Sequence, residues 1–321
     1  MLCDAVLGQQ QAIDLLQAAV RSGRIAPAYL FTGIEGTGKF TAAVAFAKAL
    51  NCREQADDFC AVCAACRKID KRLHPDCFFI EPDKNVIRIE QVREMQKKII
   101  FKPLEGNKKV VIIDQAERLN LHAANCLLKT LEEPPDDTVL ILVANTGAPL
   151  LPTIRSRCQI IRFAPLSTAV IRTILRDKER GTDIDFIAAL SQGSVKRALA
   201  LLETGFLAKR REIVRLLVAG SSGFGAPLLQ LAKLASDDQQ HIPHILEFLQ
   251  TWYRDLFVLL NGFPEENLYN RDLCAEMQDV LINTTREQVL QGFKKLQWIN
   301  AHRTININYT LALESMLLQS L

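Results

Sequence analysis

Apolar positions in this chain follow two patterns. Around residue 110 they run unbroken: Val110–Ile113 ends at Asp114, and Val139–Ala144 ends at Asn145. Short apolar runs with polar ends predict strands buried on both faces, hence a parallel sheet covered by helices. Tyr29-Leu30-Phe31 predicts a further short strand. Other segments space their apolar residues helically. Residues 7–22 place Ile13, Leu16 and Val20 together, with Ala12 and Ala19 beside them, and Gly23 stops the helix. Ile89–Phe101 sets Val92, Met95, Ile99 and Ile100 against Arg93, Lys97 and Lys98. Asn120 precedes a helix over Ala123–Leu131, which Glu132-Glu133-Pro134-Pro135 ends because proline cannot continue it. Beyond about residue 209 only helical patterns remain: Ile213–Val218, Ile242–Leu260 and Thr285–Tyr309, with breaks at Gly220–Gly225 and Asn261–Pro264.

A chain of 321 residues predicts two or three domains. Its 49% hydrophobic and 23% charged residues are those of a soluble globular protein. No apolar run is long enough to span a bilayer, and MLCDAVLGQQ carries no secretion signal. The expected location is therefore the cytoplasm. A net charge of +3 leaves any polyanion site to a local patch. Lys84–Lys109, with eight basic and three acidic residues, is such a patch; it suits phosphate tracking or a plain solvated helix face.

Between the Tyr29–Phe31 strand and a helix over Thr41–Leu50 lies Gly33-Ile34-Glu35-Gly36-Thr37-Gly38-Lys39-Phe40-Thr41. It fits G-x-x-x-x-G-K in the strand-to-helix setting the motif requires. Glycines let backbone N–H groups converge on phosphate, the helix start adds a favourable dipole, and Lys39 reaches the outer phosphates. One position departs from an ATPase. The residue after the lysine supplies the hydroxyl that binds Mg²⁺, and here it is Phe40. Thr41 has a hydroxyl one residue later, about 100° further around the helix. A second departure is Asp114-Gln115, where P-loop ATPases of the Asp-Glu type use the glutamate to polarise water; an amide is no general base. Asn145, at the tip of its strand, orients a γ-phosphate or caps the strand.

Cys52, Cys60, Cys63 and Cys66 are spaced C-x7-C-x2-C-x2-C. In a reducing compartment such spacing predicts a tetrahedral structural Zn²⁺ with no coordination position open for catalysis. Cys3, Cys77, Cys126, Cys158 and Cys274 stand alone and read as core or incidental.

Gly33–Thr41, the four cysteines, Asn125–Pro135 (NCLLKTLEEPP) and Pro152–Cys158 (PTIRSRC) together closely resemble bacterial clamp-loader AAA+ subunits. This family, part of the DNA polymerase III holoenzyme, loads the ring-shaped sliding clamp onto primed DNA. Its gamma/tau branch hydrolyses ATP; its delta-prime branch is generally a non-hydrolysing stator. Phe40 and Gln115 favour the stator branch, as does the ending Asn306-Ile307-Asn308-Tyr309 with Leu311–Leu318. The resemblance covers nearly the whole chain, most strongly over 1–165.

The resemblance implies an α/β AAA+ P-loop domain over 1–166 with a zinc module inserted at about 52–66. A small helical lid over 167–208 and an all-α collar over 209–321 would follow. It implies nucleotide contacts from Gly33, Gly36, Gly38, Lys39, Thr41, Asp114 and Asn145. Lys196 of Gly193-Ser194-Val195-Lys196 stands where the family's second sensor has arginine. Arg157 of Ser156-Arg157-Cys158 would act in trans, as an arginine finger in a neighbour's ATP site. ATP or ADP binding without hydrolysis, gamma/tau and delta partners, the clamp and primed DNA are implied, with no membrane. The rival expectation is an active gamma/tau-like ATPase using Thr41 and Glu117, although Glu117 lies three residues past Asp114. A zinc-dependent nucleic-acid module is a third, with only Arg53, Arg67, Lys68, Lys71, Arg72 and Phe59 available in 53–72.

Overall fold

Residues 6–55, 57–146, 150–176, 184–203, 206–223, 225–237, 242–302 and 308–320 are described by a computed structural model. Cys3 and the Asn306-Ile307 pair lie outside the described residues. Two compact units result: residues 1–170 with 193–196, and residues 171–192 with 197–321.

The first unit is AAA+-like α/β. Strands β1 (Ala28–Gly33), β2 (Cys77–Ile80), β3 (Lys109–Ile113), β4 (Thr138–Asn145) and β5 (Gln159–Arg162) form one sheet in the order β2-β3-β4-β1-β5. Every pairing is parallel. The helices are α1 (Gln10–Ser22), α2 (Lys39–Asn51), α3 (Ala64–Asp70), α4 (Ile89–Ile99), α5 (Leu121–Glu132) and the single turn α6 (Pro152–Arg155).

Unbroken apolar runs have a direct explanation here. Val110 and Ile112 of β3 pack into one core with Ile13, Leu16, Phe31 and Phe46. Their neighbours Val111 and Ile113 pack into a second core on the other face with Leu30, Val92 and Leu127. Each fully buried side chain of this size contributes about 1.5–3 kcal/mol. Asn120 caps α5 through its side chain, which accepts from Ala123 N at 2.8 Å, as its position in the sequence suggests. Register places Gly33 beside Asn145 and Ile113 beside Leu142. The carboxyl ends of β1, β3 and β4 therefore open at one place, where open α/β sheets bind ligands.

Among its described residues the second unit is built of helices, with no strand. Its helices include α7 (Thr168–Arg176) and α9 (Val195–Glu203), whose first residues belong to the other unit, and α8 (Ile184–Leu190). Then come α10 (Phe206–Ser221), α11 (Gly225–Asp237), α12 (Ile242–Leu260), α13 (Cys274–Leu281), α14 (Arg286–Ala301) and α15 (Tyr309–Ser320). Its centre is aromatic: Phe206, Phe248, Trp252 and Tyr253 are fully buried. Two expectations shift. Gly220 is helical rather than a break, and it packs against Leu228 of α11, which a Cβ there would meet at 2.3 Å; the left-handed turn comes at Gly223. The helix expected over 285–309 instead ends at Ala301, and Asn308 starts a new one by accepting from Leu311 N through its side chain.

Candidate functional site

A cleft of ≈ 210 Å³ opens at the carboxyl ends of β1, β3 and β4. Glu35, Gly36, Gly38, Lys39, Phe40, Thr41, Asp114, Gln115, Glu117 and Asn145 are among its lining residues. Of the expected nucleotide contacts, Gly36, Gly38, Lys39, Thr41, Asp114 and Asn145 are thus brought together. Gly33 sits behind the cleft, where a Cβ would lie 2.5 Å from Phe163 O. Gly36 (φ 78°) and Gly38 (φ 89°) adopt left-handed backbone, and α2 begins directly after them. Gln9 fixes the loop from below, donating to Thr37 O (3.3 Å) and Ala164 O (2.7 Å).

Lys39 is buried, and its ammonium donates to Gly33 O (2.8 Å), Ile34 O (2.6 Å) and Asn145 Oδ1 (3.2 Å). Burial pushes its pKa down, against the raising effect of Glu117, Glu35 and Asp114. Burial likewise raises Asp114, although the Gln115 amide bonded to its carboxylate at 2.9 Å opposes this. Lys196 pairs with Glu35 at 2.6 Å beside the loop and is not among the cleft's lining residues.

Phe40 is committed elsewhere. Its ring lies 6.3 Å from that of Phe79, and the Arg72 guanidinium sits over both rings at 5.3 and 5.1 Å. Such cation–π contacts contribute about 0.5–1 kcal/mol each. Nothing in the sequence pattern around Phe40 pointed to Arg72 or Phe79.

Glu117 is the residue whose distance in sequence misleads. Gln115 takes left-handed backbone (φ 48°), and the 3-10 turn Ala116–Arg118 folds the chain back. Glu117 Oε1 then accepts from Asn145 Nδ2 at 2.8 Å, while Oε2 is buried without a hydrogen-bond partner. The available signal was the short stretch between Asp114 and the Asn120 cap, which leaves room only for a tight turn.

Cys52, Cys60, Cys63 and Cys66 converge, with all sulfurs within 4.8 Å of one another. Tetrahedral zinc thiolates sit about 3.8 Å apart, so a small contraction accommodates the metal. Burial pushes Cys63 up, but amide hydrogen bonds from Cys66 and Arg53 outweigh it and bring its thiol down to about 6; burial raises Cys66. A latch adjoins the module. Buried Asp76 accepts from the backbone N–H groups of Leu104, Glu105 and Gly106, each at 2.8 Å. Arg53 donates to Glu105 O at 2.8 Å, and Lys68 pairs with the Glu105 carboxylate at 2.6 Å.

The basic stretch is partly consumed internally: Lys98 pairs with Glu94, Lys108 with Asp137, and buried Lys109 donates to Lys98 O. Arg157 follows α6 at the surface, donating to Thr153 O (3.0 Å) and pairing with Glu132 (2.7 Å). Among the described residues no helix is long and apolar enough to cross a membrane.

Two family models match this chain: "DNA polymerase III, delta subunit" over residues 8–167, and "DNA polymerase III, delta subunit, C terminal" over 204–320. The chain is 31% identical to DNA polymerase III subunit delta' of Pseudomonas aeruginosa over 304 residues, covering 92% of this chain and 91% of that protein. It is 29% identical to the Bacillus subtilis subunit delta' over 314 residues, 97% and 95% of the two chains. Similarity to the B. subtilis subunit tau is 36% over 207 residues, but spans 62% of this chain and 36% of tau. The delta' likeness extends through both the sheet and the terminal helices, and the chain belongs to the DNA polymerase III subunit delta' family.

Proposed function

We propose that this chain is a stator of the replicative clamp loader. It would help to place the sliding clamp on primed DNA, in a hetero-oligomer with gamma/tau and delta subunits in the cytoplasm. Its phosphate loop would hold ATP or ADP through Gly36, Gly38 and Lys39 without hydrolysing it, and Arg157 would serve a neighbour's ATPase site. The observation that carries this reading is Phe40, which stands where an ATPase needs a metal-binding hydroxyl and packs its ring on Phe79 and Arg72. Gln115, an amide, leaves the position of the general base empty as well. Arg157, held by one surface carboxylate and one carbonyl, is free to exchange them for a neighbour's phosphate. The division into a nucleotide-fold domain (1–166), a helical lid (167–208) and a collar (209–321) belongs to the same proposal. So do a structural Zn²⁺ on Cys52, Cys60, Cys63 and Cys66 and a nucleotide-facing role for Lys196.

An active gamma/tau-like ATPase is the second reading, favoured by one observation: Thr41 and Glu117 both line the cleft. DNA-stimulated ATP turnover of the purified chain, with and without its motor partner, separates the two. The stator reading expects negligible turnover by the chain alone. Turnover near that of a motor subunit, abolished by Lys39→Ala, would overturn it.

A further inference from the structure

We propose that Glu117 makes the cleft selective for nucleoside diphosphates over triphosphates. The proposal rests on the reading of the cleft as a phosphate site. In a phosphate loop the lysine serves the outermost phosphates. Here the lysine is already linked to a carboxylate through one side chain. Lys39 donates to Asn145 Oδ1 at 3.2 Å, and Asn145 donates to Glu117 Oε1 at 2.8 Å. Asn145 is thereby held with its oxygen toward the cation and its amide toward the anion. Glu117 Oε2 is buried and has no hydrogen-bond partner. A hidden carboxylate oxygen without a donor is an electrostatic obstacle to any further anion beside it.

Nothing on this side of the cleft offsets that charge. Asp114 is a second acid in the lining, Gln115 is neutral, and Phe40 offers no hydroxyl to hold a divalent cation. Lys196 is occupied by Glu35. With Glu35 paired to Lys196, a third phosphate would therefore meet the carboxylates of Glu117 and Asp114, with Lys39 the one cation among the described lining residues. A diphosphate asks less, because the loop amides around Gly36 and Gly38 and the start of α2 suffice for it. Glu117 thus acts as a built-in competitor for the lysine, positioned by Asn145.

The test is calorimetric titration of the full, metal-loaded chain with ADP and with ATP, each with and without Mg²⁺. Wild-type protein is expected to bind ADP about tenfold more tightly than ATP, an effect of the size two like charges produce at a partly buried site. Glu117→Gln and Glu117→Ala should raise ATP affinity to within about threefold of ADP while changing ADP affinity far less. Thermal melting checks that both variants fold, and Lys39→Ala should weaken both affinities, that for ATP the more. Equal binding of the two nucleotides by wild type, or a preference that persists in both variants, overturns the role of Glu117 and leaves the phosphate site intact. Binding of neither nucleotide by any protein overturns the phosphate-site reading and this proposal with it. ATP turnover that disappears in Glu117→Gln would instead make Glu117 a catalytic base.

Discussion

Lys39 and Arg157 are the two cations on which the proposed function turns, and the fold holds them in opposite ways. Lys39 is buried at the ends of β1 and β4, with three acceptors satisfied by the chain itself. Arg157 stands at the surface with one carboxylate and one carbonyl. A buried cation with every proton placed is part of the architecture, and removing it disturbs the protein that carries it. A surface cation with a weak, screened partner costs little to redirect, so its loss is felt elsewhere. The contrast teaches that, under the proposed function, the phosphate loop and the arginine would have separate uses.

The largest expected effect is at Arg157. In the assembled loader Arg157→Ala should lose most clamp loading and a share of DNA-stimulated ATPase, with the affected motor site slowed by about 10³ or more. The isolated variant should keep its stability to within about 0.5 kcal/mol. Lysine should rescue poorly because it lacks the planar fork, and Arg155→Ala should be much milder. Equal loss at both arginines would erase the contrast.

Metal removal asks whether either cation depends on the cysteine module. Chelation, or Cys63→Ser, should make residues 52–66 protease-sensitive and release one zinc per chain, as metal analysis would report. Nucleotide titration should be unaffected; if chelation alters it, the two regions are coupled.

Lys39→Ala should destabilise the chain by about 1–3 kcal/mol without any nucleotide, measured by urea unfolding, because Glu117 and Asp114 lose their nearest cation. A shift no larger than that of Arg157→Ala would remove the distinction between an inward and an outward cation.

The smallest effect belongs to Asp114. Burial raises its pKa above the usual 3.8, so the folded state holds the proton more tightly than the unfolded chain. Its stabilising contribution is complete below pH 3.8 and is lost as pH rises through the folded value. Asp114→Asn should therefore raise Tm slightly at pH 7 and leave it nearly unchanged at low pH. A lower Tm at pH 7 would show that the ionised carboxylate is needed in the cleft.

Much of this was legible in the chain because single residue types carry single physical demands. Runs such as Val110–Ile113 suit only a strand covered on both faces, and the four cysteines at their spacing converge as expected. Strands β2 and β5 were missed: each has four residues, and β5 keeps three of its four exposed, so its pattern resembles a loop. The placement of Glu117 was missed because a left-handed Gln115 reverses the chain, and glutamine gives no sign of positive φ. The partners of Phe40 were illegible for another reason. Arg72 and Phe79 reach it through the fold, over separations that no local pattern encodes.

The latch at Asp76 bears on time rather than on energy. Backbone amides in a surface loop normally exchange with water within seconds, since nothing shields them. Those of Leu104, Glu105 and Gly106 point instead at a carboxylate with no exposed surface. They can exchange only when that acid withdraws, an event on the scale of sub-global opening. The apolar side chains of Phe101 and Leu104, 70% and 78% exposed, are thus carried by a loop whose backbone is tied to a buried acid.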